Sequence, residues 1–209
     1  MVDDIDVPTA VAMGWQNNSV AIALGPDRHS VLTPITSLPL ARAAAEAVER
    51  SLHKRFPEIS PSVLRMTRSV FEELGANVVD HTGAPETGFG WADVQLTSRR
   101  LHLAFADSGI GFSSSLQRNP ELAGRVADDA EALQLALTPR VSGTGPSRKN
   151  MGWGLKTLVD LSDLLDGDLH IASGSAMLLR RTRAGQRTNA IRAIPPWQGA
   201  WICLEARLG

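Results

Sequence analysis

Charge of one sign is the first thing this sequence lacks. Its 209 residues set 21 Lys+Arg against 22 Asp+Glu, a net charge of -1, so no global field exists to hold a nucleic-acid backbone or an anionic membrane. Any polyanion must be met locally. Cysteine is nearly absent: Cys203 stands alone, which excludes an intramolecular disulfide and a cysteine-built zinc site and fits a reducing compartment. No stretch is apolar for long enough to span a bilayer, and the start, MVDDIDVP, places acid where a secretory signal carries positive charge. The cytoplasm is the expected location, with no membrane partner. Internal repeats and low-complexity tracts are also missing. What is present is 43% hydrophobic content, enough for a chain of this length to bury one core.

The patterning predicts an α+β protein. SVAIAL and HSVLTPI, separated by GPDR, read as a hairpin, and LPLARAAAEAVERSLHKRF reads as a helix ending near Pro57. His53 falls on the surface of that helix. A second helix is expected from Ser60, as cap, and Pro61, in its first turn, to about His81. WADVQLTS and RLHLAFAD alternate as paired strands. A long irregular section follows, containing the helical run DAEALQLAL. GLKTLVDLSDLL reads as an amphipathic helix, DLHIASG and AMLLRRT as a hairpin, and AWICLEAR as a closing strand. The acidic start and the stretch from Arg183 to Pro196 have the character of linkers. Helices clustered between hairpins predict a two-layer α/β sandwich with a mixed, mostly antiparallel sheet and helices on one face. Residues 1–59 form an N-terminal hairpin and helix expected to pack on the domain made by 60–209.

Three short elements carry the candidate chemistry. In FEELGANVVDH, Glu73, Asn77 and His81 are spaced four apart and share one helical face. That stripe suits ordinary solvated surface, although asparagine is a poor choice for a helix interior. Functionally, the Asn77 amide oxygen suits Mg2+, a hard cation shared with nucleotide phosphates. Glu73, one turn away, suits a general base. Glu72 points to a neighbouring face. In FADSGIGF a strand ends at Asp107 and turns through Gly109 and Gly111. A carboxylate only accepts hydrogen bonds, which matches the exocyclic amine of adenine, and the glycines let backbone approach a ligand. In RKNMGWGLKTLVDL, Gly152 and Gly154 precede a helix whose free amides and dipole suit phosphate oxygens. Arg148, Lys149 and Lys156 flank it, two of the chain's three lysines. Just before, TPRVSGTGPSRKN has the length and composition of a lid.

In order and spacing these motifs resemble the GHKL ATPase superfamily over roughly Ser60 to Leu204: ELGANVVDH resembles its N box, DSGIGF its first glycine box and GWGL its second. The resemblance implies a Bergerat (histidine-kinase-like ATPase) fold with ATP and Mg2+ as ligands. The histidine four residues after the asparagine and the compact length look most like the anti-sigma-factor serine/threonine kinases. Carried over, Glu73 resembles their catalytic base, Asn77 their magnesium ligand and Asp107 their adenine reader. Gly109, Gly111, Gly152 and Gly154 resemble the nucleotide-contacting glycines, with His81, Lys149 and Leu155 in the same nucleotide-binding set. Two departures stand out. Gly199 is followed by Ala200 where the family commonly has Gly-Thr, and Trp153 occupies a position often smaller or polar.

The expected activity is transfer of the ATP γ-phosphoryl to a small anti-sigma-antagonist-like protein. The stretch before Ser60 is assigned to a partner or a homodimer contact. The alternatives are a stand-alone ATPase that uses lid closure as a conformational switch, and a binding module that senses ATP and represses a regulator such as a sigma factor without turnover. No transducer-like segment follows AWICLEAR, which sets the ATPase second.

Overall fold

The computed structural model describes residues 20–23, 29–35, 37–81, 90–97, 99–139, 141, 143 and 154–208; for 20–23, 29–34, 80–81 and 90–97 the description is of the backbone. The acidic start lies outside these residues. Strands β1 (Val20–Ala23) and β2 (His29–Ile35) lead into helix α1 (Leu38–Arg55). Ser37 caps α1, its hydroxyl accepting from the Leu40 amide at 3.4 Å. Ala41, Ala45, Val48 and Leu52 recur every three or four residues and are buried, so α1 has one apolar stripe. His53 is on the exposed side.

Helix α2 (Pro61–His81) begins at Ser60, whose hydroxyl accepts from the Val63 amide at 3.3 Å. Gly75 sits in its interior, where glycine weakens a helix by about 1 kcal/mol relative to alanine. Packing explains it. A Cβ at Gly75 would lie 2.5 Å from the Cβ of Ala41, so glycine opposite alanine lets α1 and α2 come together. Arg68 on α2 completes the junction, donating to Glu49 of α1 at 3.0 Å and to Glu72 at 2.9 Å.

Beyond α2 come β3 (Gly90–Thr97), β4 (Arg100–Asp107), α3 (Gly111–Gln117), α4 (Asp129–Ala136), α5 (Gly154–Leu164), β5 (Asp168–Arg183) and β6 (Gln186–Arg207). The six strands form one sheet in the order β1-β2-β3-β4-β6-β5. The N-terminal hairpin thus extends the same sheet as the candidate site. Each pairing is antiparallel, which corrects the expectation of a mixed sheet: β5 arrives from α5 at the edge and β6 returns between β5 and β4, opposing both. The protein is α+β. Helix α3, in the section read as irregular, is a further correction, because its seven residues carry too little periodicity to be seen.

Two more expectations fail at β5 and β6. DLHIASG and AMLLRRT are not a hairpin but successive parts of β5, paired throughout with β6; the tight turn is Ala184–Gly185. Gly174 (φ +58) and the register shift around it mark a bulge, not a turn. The stretch from Arg183 to Pro196 is accordingly the first half of β6 and no linker. A straight strand would hold residues 168 and 183 roughly 50 Å apart at about 3.3 Å per residue. Yet Arg183 donates to Asp168 at 2.6 Å and the Thr182 amide to Gly167 O at 3.0 Å. The ribbon therefore doubles back at the bulge, and its far end docks on α5.

The core lies on one face of the sheet. Leu101, Leu103 and Phe105 of β4, Ile202 and Leu204 of β6, and Leu169 and Ile171 of β5 join one buried cluster with Val70, Phe71, Leu74, Leu133, Leu158 and Leu161 of the helices. The Phe71 and Phe105 rings meet edge to face at 4.7 Å, pinning α2 to β4. Among the described residues no helix is long and apolar enough to cross a membrane.

Candidate functional site

Where α2 and α5 lie over the ends of β4 and β6, the sheet and helices part to leave a cleft. Together with its open mouth it holds about 890 Å3 free of protein atoms. Glu73 and Asn77 border it from α2, Asp107 from the end of β4, Gly111 from the start of α3, and Gly154 and Leu155 from the start of α5. Residues far apart in the chain thus surround one space. Gly109 is not among the lining residues. His81's side chain, Arg148, Lys149, Gly152 and Trp153 lie outside the described residues, as does most of the candidate lid; its described start contributes Val141 and Gly143 to the wall. A Cβ at Gly143 would fall 2.4 Å from Ser115 O, so that start is seated closely on α3.

Glu73 is half-buried, and burial, followed by the charge of Glu72, raises its carboxyl above the ordinary value of 4.5. Arg68 holds the Glu72 carboxylate at the junction with α1, so that group is occupied elsewhere. Helix α5 reaches Glu73 because its first residue is glycine: a Cβ at Gly154 would lie 3.0 Å from the Glu73 Cβ and 3.7 Å from Asn77 Nδ2. Lys156 is tied to Asp160 one turn along α5, so its ammonium is directed along the helix.

Asp107 is held by backbone. Its Oδ1 accepts from the amides of Gly109 at 2.8 Å and Ala200 at 3.3 Å, so Gly109 positions the carboxylate. Two glycines are required by this turn. Gly111 has φ +72, and a Cβ there would meet Ser173 Oγ at 2.6 Å; Gly199 has φ +82, and a Cβ would sit 2.0 Å from Asp107 O. Ser173 joins the two: its buried hydroxyl donates to Gly199 O at 2.8 Å and accepts from the Phe112 amide at 3.1 Å. Sequence reasoning missed Ser173 because a serine before a strand glycine carries no local signal. It also missed Ser115 and Phe112, which line the cleft from the helix it did not foresee. Across β5 and β6, Ser173 pairs with Ala200.

The site can therefore do three things chemically. A half-buried carboxylate can take a proton, an amide and a carboxylate one turn apart can offer oxygens to a hard cation, and a backbone-fixed carboxylate can accept from an amine. No protein-family profile and no curated protein matches the chain.

Proposed function

We propose that this chain, a Bergerat-type sandwich acting in the cytoplasm, binds Mg-ATP in the cleft and transfers the γ-phosphoryl to a hydroxyl of a small protein partner of the anti-sigma-antagonist kind. One observation carries the reading: Glu73, Asn77 and Asp107 line a common cleft with Gly111, Gly154 and Leu155. The lining fits magnesium, since Asn77 on the cleft wall carries a hard amide oxygen. Asn77 would hold the ion by its amide oxygen. When bound, the ion supplies positive charge against the phosphate oxygens.

The chain's own groups do the rest. Asp107 accepts from the adenine amine, and the start of α5 faces the phosphates. The partner's hydroxyl oxygen bonds to the γ-phosphorus as the bond from that phosphorus to the bridging oxygen breaks, releasing ADP, while the hydroxyl proton passes to the Glu73 carboxylate. Burial makes Glu73 a stronger base than an exposed glutamate.

Incubation with γ-labelled ATP and a cell extract tests this reading. A labelled protein is expected; released phosphate alone would make the chain an ATPase, and bound but unreacted ATP would make it a sensing module. Glu73→Ala should abolish turnover with nucleotide still bound, and loss of binding instead would contradict the base assignment.

A further inference from the structure

The sheet face opposite the core carries a second cluster. Across β4 and β6, His102 pairs directly with Glu205, and Ala104 with Cys203, so the side chains of 102, 203 and 205 project from the same face. His102 Nδ1 lies 3.4 Å from Glu205 Oε1. Cys203 Sγ lies 4.0 Å from the same nitrogen and 3.8 Å from Nε2. One ligand atom from each residue falls within 4.8 Å of the others. Tetrahedral zinc, with bonds of about 2.0–2.3 Å, needs nitrogen–oxygen and sulfur–nitrogen separations of about 3.4 and about 3.6 Å. Through Nδ1 the nitrogen–oxygen edge, 3.4 Å, already has that length, and the sulfur–nitrogen edge, 4.0 Å, must close by about 0.4 Å on binding.

The geometry points to a transition-metal site formed by His102, Cys203 and Glu205, taking Zn2+ or a like borderline ion, with solvent in the fourth position. A thiolate and an imidazole favour Zn2+, Co2+ or Ni2+ over the hard Mg2+ expected in the cleft. Binding forms a sulfur–metal bond as the Cys203 thiol proton leaves to solvent, so no oxidant is needed. A lone cysteine cannot build a zinc site from thiols, but a mixed site needs only one. Neither His102 nor Glu205 carries a local signal, because only the β4–β6 register brings them to Cys203. The bound ion would clamp β4 to β6, the strands that also carry Asp107 and Ala200.

Titration of the full chain with Co2+ in excess Mg2+ tests the site. A sulfur-to-cobalt charge-transfer band with intense tetrahedral visible bands is expected, saturating at one ion per chain and displaced by Zn2+. Cys203→Ser should remove the band. His102→Gln and Glu205→Gln, at partly exposed side chains, should each weaken Co2+ binding by roughly tenfold or more, at least the loss that removal of an outer partner produces, and they decide the matter should the buried serine variant not fold. Absence of the band in the unmodified chain, or a band indifferent to both glutamine variants, would overturn the site.

Discussion

At Glu73, burial and the neighbouring Glu72 charge penalise the ionised form in the native state. A carboxyl raised on folding stabilises the protein fully below its unfolded value, near 4.5, and that contribution is lost as pH rises through the folded value. Glu73→Gln is therefore expected to melt at a higher temperature than the unmodified protein at neutral pH, with the gap closing below pH 4.5. Turnover should fall by about 10²–10⁴-fold. Calorimetric scans across pH check the first point, and a glutamine variant less stable at pH 7 would contradict the burial argument. Asp107→Asn separates recognition from structure, since the amide oxygen can still accept from Gly109 and Ala200. A lost hydrogen bond to a charged group, worth about 1.5–3 kcal/mol, predicts roughly ten- to hundredfold weaker ATP binding by calorimetric titration. Unchanged affinity would remove Asp107 as the adenine reader.

Between elements, close approach governs. A glycine in a helix interior normally invites replacement by alanine, which adds about 1 kcal/mol of helix stability. At Gly75 the opposite is expected. The new Cβ would overlap Ala41 Cβ at 2.5 Å, and overpacking costs about 1–3 kcal/mol, so Gly75→Ala should lower the urea midpoint. Pairing it with Ala41→Gly should recover part of the loss; a more stable Gly75→Ala single variant would show that α1 yields freely. The doubled-back ribbon depends on a different contact. Asp163 on α5 accepts from Arg180 at 2.8 Å and from Thr182 at 2.8 Å, and pairs with Arg187 at 2.9 Å. With Arg180 and Asp163 both about nine-tenths buried, Asp163→Ala strands a charge and should cost about 3–5 kcal/mol in denaturant melts.

Across the whole molecule, these two carboxyls set opposite pH limits. Burial alone would raise Asp163, but hydrogen bonds from Arg180 and Thr182 and the charges of Arg180 and Arg187 outweigh it and hold the carboxyl below its ordinary 3.8. Its contribution is present above that value and lost as pH falls through the lower folded one. Glu73 acts in the other direction, above 4.5. Stability from this pair is therefore greatest near the interval between the two ordinary values. Urea melts at several pH values should show Asp163→Asn removing part of the acid limb and Glu73→Gln part of the neutral-pH decline. Identical pH profiles for both variants and the unmodified chain would refute the assignment.

The sequence by itself determined what rests on local chemistry. Periodicity set α1, α2 and α5, the Ser60 hydroxyl marked a helix start, and the spacing of Glu73 and Asn77 put both on one face, since a helix repeats every 3.6 residues. Glycines near Asp107 were legible as turn residues for the same reason. Tertiary structure alone decided what distant contacts impose. The reversal at Gly174 needs the Asp163 network at the ribbon's far end, so its residues read locally as two strands and a linker. Ser173 acquires its role from Gly111 and Gly199, and His102 meets Cys203 and Glu205 only through strand register. A period of two says which face a side chain takes, but not which strand lies beside it.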